Sequence, residues 1–227
     1  MVTTSDRVSY HHGDLRNALL ATATELAQAG GPAAVQLREA ARRIGVSPSA
    51  AYRHFVDQAD LLTAVATGVL NELAARMRAA MAGVHTTAFP RLDALARFRA
   101  VGLAYVDFAW TQPGLFRTAY ASGVSLPDGT ETAGPDPSAL IGNPYGILAD
   151  VLDEMADTGV LPRDRRRHAE VAAWSGVHGL SMLVLDGALR GVADDPQELV
   201  DATLEMIGIG LCAPTALGAH APAPPGG

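Results

Sequence analysis

The stretch from Leu37 to Phe55 constrains the fold more than any other part of the chain. Leu37, Ala40, Ala41 and Ile44 recur at helical spacing, and Gly45 stops the pattern at once. Ser47-Pro48 then restarts it, with Ser47 as a side-chain cap and Pro48 at the first helical position, where its missing N–H does no harm. This next helix is predicted to run to about Phe55, whose ring returns to the core. Two short helices joined by a glycine turn make a helix-turn-helix.

The rest of the chain reads as helix as well. Leu15, Ala18, Leu19, Thr22 and Leu26 mark a first helix that ends at Gly30-Gly31-Pro32. Asp57 is placed to cap a fourth, with Leu61, Leu62, Val65, Val69, Leu73 and Met77 on its buried stripe. Further helices are predicted over Leu92–Trp110, from Pro113 through Tyr120, from Pro144 to about Thr158, over Asp164–Leu189 and over Pro196–Leu211. No β-hairpin signal or useful alternating run interrupts them, so the fold class is all-α: a three-helix head with a helix-turn-helix, then a larger helical domain. The boundaries expected are 1–56 for the head, with an arm over 1–13, 57–211 for the body, and a disordered Pro/Ala/Gly tail over 212–227. The Gly-, Pro-, Ser- and Asp-rich residues 122–143 read as a long mobile loop.

Composition matters mainly through where the charge lies. The chain carries a net −7, yet residues 1–70 hold six Arg against six acids, so the whole excess falls behind the head. Between Arg38 and His54, four Arg face only Glu39, a local +3 suited to phosphate contact. No lysine occurs anywhere, so every fixed side-chain cation is a guanidinium able to offer paired donors. The single cysteine, Cys212, cannot form an intramolecular disulfide, and a reducing interior is its natural setting. The longest uncharged stretch, Val171–Leu185, is too short to span a bilayer. No apolar signal segment opens the chain, and a soluble, cytoplasmic protein without membrane contact is expected.

The second helix of such a pair must enter the major groove, which favours small or polar residues at its start. Pro48, Ser49, Ala50 and Ala51 meet that need, and Tyr52, Arg53 and His54 follow with a hydroxyl, a guanidinium and an imidazole for phosphate. Taken on physics alone, an ordinary helical hairpin with a basic solvated face is the alternative.

Residues 10–70 resemble the DNA-binding head of the TetR family of regulators. The resemblance is carried by Leu37-Arg38-Glu39-Ala40-Ala41, Ile44-Gly45-Val46-Ser47, Ala51-Tyr52-Arg53-His54-Phe55 and Leu61-Leu62. Tyr10-His11-His12-Gly13-Asp14-Leu15-Arg16 resembles one branch of that family, as does Trp174 followed by Val177-His178-Gly179 in the body. The resemblance implies a DNA interface of Gln36, Arg38, Ser47, Pro48, Ser49, Ala50, Tyr52, Arg53, His54 and Gln58. Gln36 stands where members usually carry Ser or Thr as a cap, and Gln58 where they usually carry Lys. Each still donates a hydrogen bond to phosphate, but neither adds charge, which implies a weaker salt dependence.

For the body, the resemblance implies that the last two long helices pair with their twins in a homodimer, and that a small effector binds between helices. Val171, Trp174, Val177, Leu180, Met182 and Leu185 make the penultimate helix apolar nearly all round, and Leu199, Leu204, Ile207 and Leu211 stripe the last. Gly176, Gly179, Gly208 and Gly210 permit close approach there. Aromatic and sulfur-bearing candidates for the effector pocket are Phe98, Tyr105, Phe108, Phe116 and Tyr120, followed by Met155, Trp174, His178 and Met182. Tyr105, Trp174 and His178 are preferred because a buried hydroxyl, indole or imidazole needs a partner, although a satisfied core histidine is an equal reading of His178.

No catalytic or metal site is expected. Ser175 and Ser181 lie outside any nucleophile elbow, no His/Cys/Asp/Glu cluster has ligand spacing, and no glycine loop for a phosphate cofactor occurs. The Arg163–Arg167 charge run reads as a solvated helix start. The expected protein is therefore a ligand-responsive regulator, in default a repressor released from a palindromic double-stranded operator by a small effector. Its rival is a helical ligand-binding or scaffold protein that has lost specific DNA binding.

Overall fold

Residues 12–121 and 143–213 are described by the structure, a computed structural model of the chain. Most of the expected arm, loop and tail, including Tyr10-His11, lies outside the described residues. Those described form nine α-helices and no strand: α1 (His12–Gly30), α2 (Leu37–Arg43), α3 (Pro48–Ala51), α4 (Gln58–Ala82), α5 (Pro90–Thr111), α6 (Pro113–Ala121), α7 (Pro144–Asp157), α8 (Ala169–Leu185) and α9 (Pro196–Cys212). None is long and apolar enough to cross a membrane.

The chain divides into two compact units. The first holds α1 to α3, residues 58–70 of α4, and α6. Its core is Leu19, Ala23, Leu26, Val35, Leu37, Ala40, Ala41, Ala51, Phe55, Leu61 and Val65, all at or below 5% exposure. The Arg16 guanidinium lies over the Phe55 ring, 4.9 Å from its centre, and closes the outer side of that core. α6 packs on α1 so closely that a Cβ at Gly114 would stand 2.4 Å from the Ala27 carbonyl oxygen. Only a residue without a side chain permits that approach.

The turn between α2 and α3 shows why Gly45 is needed. Gly45 has φ +74, donates its N–H to the Arg42 carbonyl at 3.2 Å, and lets Val46 N–H reach the Ala41 carbonyl at 3.0 Å. This is a Schellman stop, which satisfies the orphan carbonyls at the end of α2. Ser47 Oγ then accepts from Ala50 N–H at 3.2 Å, the cap expected of it. α3 itself is shorter than predicted and ends at Ala51 rather than near Phe55. Its hydrogen bonds tighten there: Arg53 N–H reaches Ala50 and His54 N–H reaches Ala51, a spacing of three, while Phe55 N–H also takes Ala51. Asp57 Oδ1 accepts from Asp60 N–H at 2.8 Å and Asp60 Oδ2 from Val56 N–H at 3.0 Å, a reciprocal cap that starts α4.

The second unit contains the remainder of α4, nearly all of α5, and α7 to α9. Its core includes Phe98, Val101, Tyr105, Phe108, Leu152, Met155, Val177, Leu180 and Leu204. α9 packs along α8 and α5 through glycine notches. A Cβ at Gly176 would stand 2.5 Å from Ile207 Cδ1, and one at Gly102 would stand 2.4 Å from Leu204 Cδ2. Gly176 is thus filled from within the chain, whereas Gly179, Gly208 and Gly210 face open space. The buried Asp93 carboxylate accepts from Thr87 N–H and Oγ1 at 2.9 and 2.7 Å, fixing the entry to α5.

The helix predicted over Asp164–Leu189 is shorter at both ends. Arg163–Arg165 form a 3-10 turn, His168 adopts a left-handed φ of 62, and α8 begins only at Ala169. The break lets Arg166 fold back to Asp153 of α7 at 2.7 Å while it also holds Glu170. At the far end Gly187, with φ +74, terminates α8 at Leu185.

Candidate DNA interface and effector pocket

The two helices of the reader expose most of the side chains named for DNA. Ser47, Pro48, Ser49, Tyr52 and Arg53 are exposed, while Ala50 and His54 are half-buried. Ala51 and Phe55 are fully buried and anchor α3 from behind. The outer face therefore offers a hydroxyl at Ser49, a phenol at Tyr52 and a guanidinium at Arg53, over a backbone made narrow by Pro48 and Ala50. Gln36 occupies the N-cap position of α2 with an extended backbone but makes no side-chain cap bond, so its exposed amide is open to solvent. Gln58 is the exposed first residue of α4.

Charge on this surface is less simple than the residue count. Arg42 donates Nε and Nη2 to the two Glu39 oxygens at 2.8 and 2.7 Å, and Arg43 Nε adds a third bond at 3.1 Å. The Arg42 and Arg43 hydrogen bonds hold the Glu39 carboxyl down at about 2, so it is anionic throughout the physiological range. Sequence reasoning named neither Arg42 nor Arg43 as a site residue. The spacing of three and four from Glu39 was visible, but which partner each guanidinium takes was not.

In the second unit a small cavity of about 20 Å³, room for roughly one water, lies among α4, α5, α7, α8 and α9. Of the residues named for an effector pocket, Phe98, Tyr105 and Trp174 line it. Its other walls are aliphatic: Met77, Val101, Leu148, Ala173, Val177 and Leu204 among them. Such residues look in sequence like any core position, and no signal distinguished them. Trp174 Nε1 donates to Tyr105 Oη at 3.0 Å, and Oη pairs with His178 Nδ1 at 2.8 Å. The three preferred polar residues thus form one network at the cavity wall, with His178 behind the phenol. Burial pushes the His178 pKa down, which favours the neutral imidazole.

The remaining pocket candidates are not brought to this cavity. Phe108 and Met155 are fully buried in the same unit, and Met182 is half-buried on α8 without lining it. Phe116 and Tyr120 belong to the first unit, where their rings meet edge-on at 5.2 Å.

Residues 19–65 match the family model described as "Bacterial regulatory proteins, tetR family", and residues 98–207 match "Tetracyclin repressor-like, C-terminal domain". No curated protein matches the chain at a significant level. Among solved structures, a protein with unknown function from Rhodococcus sp. RHA1 is 27% identical with a TM-score of 0.71, covering 91% of this chain and 100% of its own. A TetR-family transcriptional regulator from Pectobacterium atrosepticum shares the fold at 17% identity and TM-score 0.61, over 92% of this chain and 99% of its own. Another from Marinobacter aquaeolei VT8 does so at 17% and 0.58, over 88% and 96%. With a Ser47-capped α3 and both family models matched in order, the chain belongs to the TetR family of DNA-binding transcriptional regulators.

Proposed function

We propose that the chain is a homodimeric, effector-responsive repressor. Residues 1–56 read DNA, and residues 57–211 dimerise and sense a small molecule. The observation that carries this reading is α3: Ser47-capped, Pro48-started, pinned by Ala51 and Phe55, and presenting Ser49, Tyr52 and Arg53 outward. The dimer holds two such helices about 34–36 Å apart, one turn of B-DNA, on a palindromic operator. Ser47, Pro48, Ser49 and Ala50 approach base edges, while Gln36, Arg38, Tyr52, Arg53, His54 and Gln58 position the head on phosphate.

The exposed apolar side chains of the last two helices support the dimer. Val171 and Leu183 on α8 are 45% and 47% exposed, and Met206 and Ile209 on α9 are 68% and 56% exposed. Covering these side chains with a second copy removes them from water.

The cavity beside Tyr105, Trp174 and His178 is the effector site. Its lining carries no charged side chain, so a compact, largely apolar effector with one hydrogen-bonding group facing Tyr105 suits it. The effector binds an expanded form of the body better than this one, and that difference is the whole of the allosteric coupling. No catalytic step is assigned to any residue, and the site of action is the cytoplasm.

Selection of genomic fragments by the purified protein at about physiological salt tests the reading, beside an Arg53→Ala, Tyr52→Phe double variant. Enrichment of one palindrome, lost in the variant, is the expected result. Uniform weak retention by both proteins overturns the placement of α3.

A further inference from the structure

Four guanidinium groups lie between Arg38 and Arg53, and they are not equivalent. No ion pair among the described residues holds Arg38 or Arg53. Arg42 and Arg43 both close on Glu39, Arg42 through the two-pronged fork that guanidinium also uses toward phosphate. Arg38 and Arg42 are four residues apart on α2 and so share one face of it. In a helix-turn-helix the first helix of the pair crosses the DNA backbone, which puts both groups over phosphate.

From this geometry we infer that Glu39 withholds Arg42 and Arg43 from DNA phosphate, so that each head meets the backbone with Arg38, Arg53 and neutral donors only. The inference deepens the proposed function and rests on the placement of α2 across the backbone.

The argument is one of competition. A phosphate that captures Arg42 must first break two short charge-assisted hydrogen bonds, and it then faces a bare carboxylate. Glu39 does not relieve that repulsion by taking up a proton, since a glutamate carboxyl ordinarily titrates several units below neutrality. Glu39 is 30% exposed and holds both guanidinium groups at once, so phosphate competes with a shared, partly sheltered carboxylate rather than with one exposed pair. The packing of α2 rests on Leu37, Ala40 and Ala41, which are buried. Glu39 is thus a positioning residue, which sets how much of the head's positive charge is available to any duplex.

The test is the salt dependence of binding by the full-length protein to its selected operator and to a random-sequence duplex. Wild type is compared with Glu39→Gln, Arg42→Gln and the double variant. Glu39→Gln is expected to tighten binding to both duplexes and to steepen the log–log salt slope by about 0.9 for each guanidinium released. Arg42→Gln alone is expected to leave the slope where it was, yet to remove most of the gain in the Glu39→Gln background. A purely structural role for Glu39 would not produce that pairwise dependence. The inference is overturned if Arg42→Gln flattens the wild-type slope, because Arg42 is then already on phosphate. It is equally overturned if Glu39→Gln leaves the slope unchanged. Should Glu39→Gln lose helicity by circular dichroism, the Arg42→Gln slope decides alone. Absence of binding to either duplex by wild type sinks the reader assignment and this inference together, whereas slopes indifferent to Glu39 sink this inference only.

Discussion

Ser47 shows how much a single side chain decides here. Its Oγ satisfies the Ala50 N–H at the start of a helix only four residues long, which has few other bonds to define it. Ser47→Ala is expected to lower unfolding stability by about 1 kcal/mol, read from urea denaturation, and to weaken operator binding further because α3 frays. His178 makes a second residue-scale prediction. Its folded pKa lies below the ordinary 6.5, so the unfolded chain binds its proton first as pH falls. Stability is then greatest above 6.5 and declines as pH drops from there toward the lowered folded value. Urea midpoints measured stepwise from neutrality downward should show this loss, and His178→Gln should reduce it. Both residues were legible in the sequence, Ser47 by its place before a proline and His178 by its apolar surroundings. The Tyr105 partnership of His178 was not, because it joins positions 73 residues apart on two different helices.

At the scale of elements, helix starts were easier to read than helix ends. Pro113, Pro144 and Pro196 each open a helix where expected, since the ring fixes φ and the missing N–H falls among the unpaired donors. The break at His168 left no comparable mark, because a left-handed backbone at a non-glycine residue is imposed by tertiary contacts. It is accompanied by the ion pairs of Arg166 with Asp153 and Glu170, which join residues that sequence spacing alone does not pair. The glycine notches were visible only as glycines, not as to what fills them. Gly102→Ala is expected to cost about 1–3 kcal/mol by overpacking against Leu204, measured by thermal or urea unfolding. Adding Leu204→Ala removes the clashing methyl, so the double variant should be less destabilised than the sum of the two single changes.

For the molecule as a whole, the all-α class, the reader and the order of its parts could be read from spacing and punctuation. The two-unit division could not, since α6 follows α5 in sequence yet its packing partner is α1. The exposed Val171, Leu183, Met206 and Ile209 side chains lead to a prediction at this scale. An Ile209→Arg, Met206→Glu variant should keep its helical spectrum but sediment as a monomer, and should lose operator affinity far beyond any loss for a single half-site. A variant that stays dimeric would move the interface elsewhere.

The cavity beside Tyr105 has space for about one water, far less than a larger guest needs. A site without standing vacancy fills no faster than it opens. The observed rate of effector binding should therefore rise with concentration and then level off, at a plateau that belongs to the protein and not to the compound. Different effectors would share that ceiling and differ mainly in how slowly they leave. The response of the genes under this regulator would then begin with one common delay, whatever molecule provoked it, and end on a schedule set by the molecule alone.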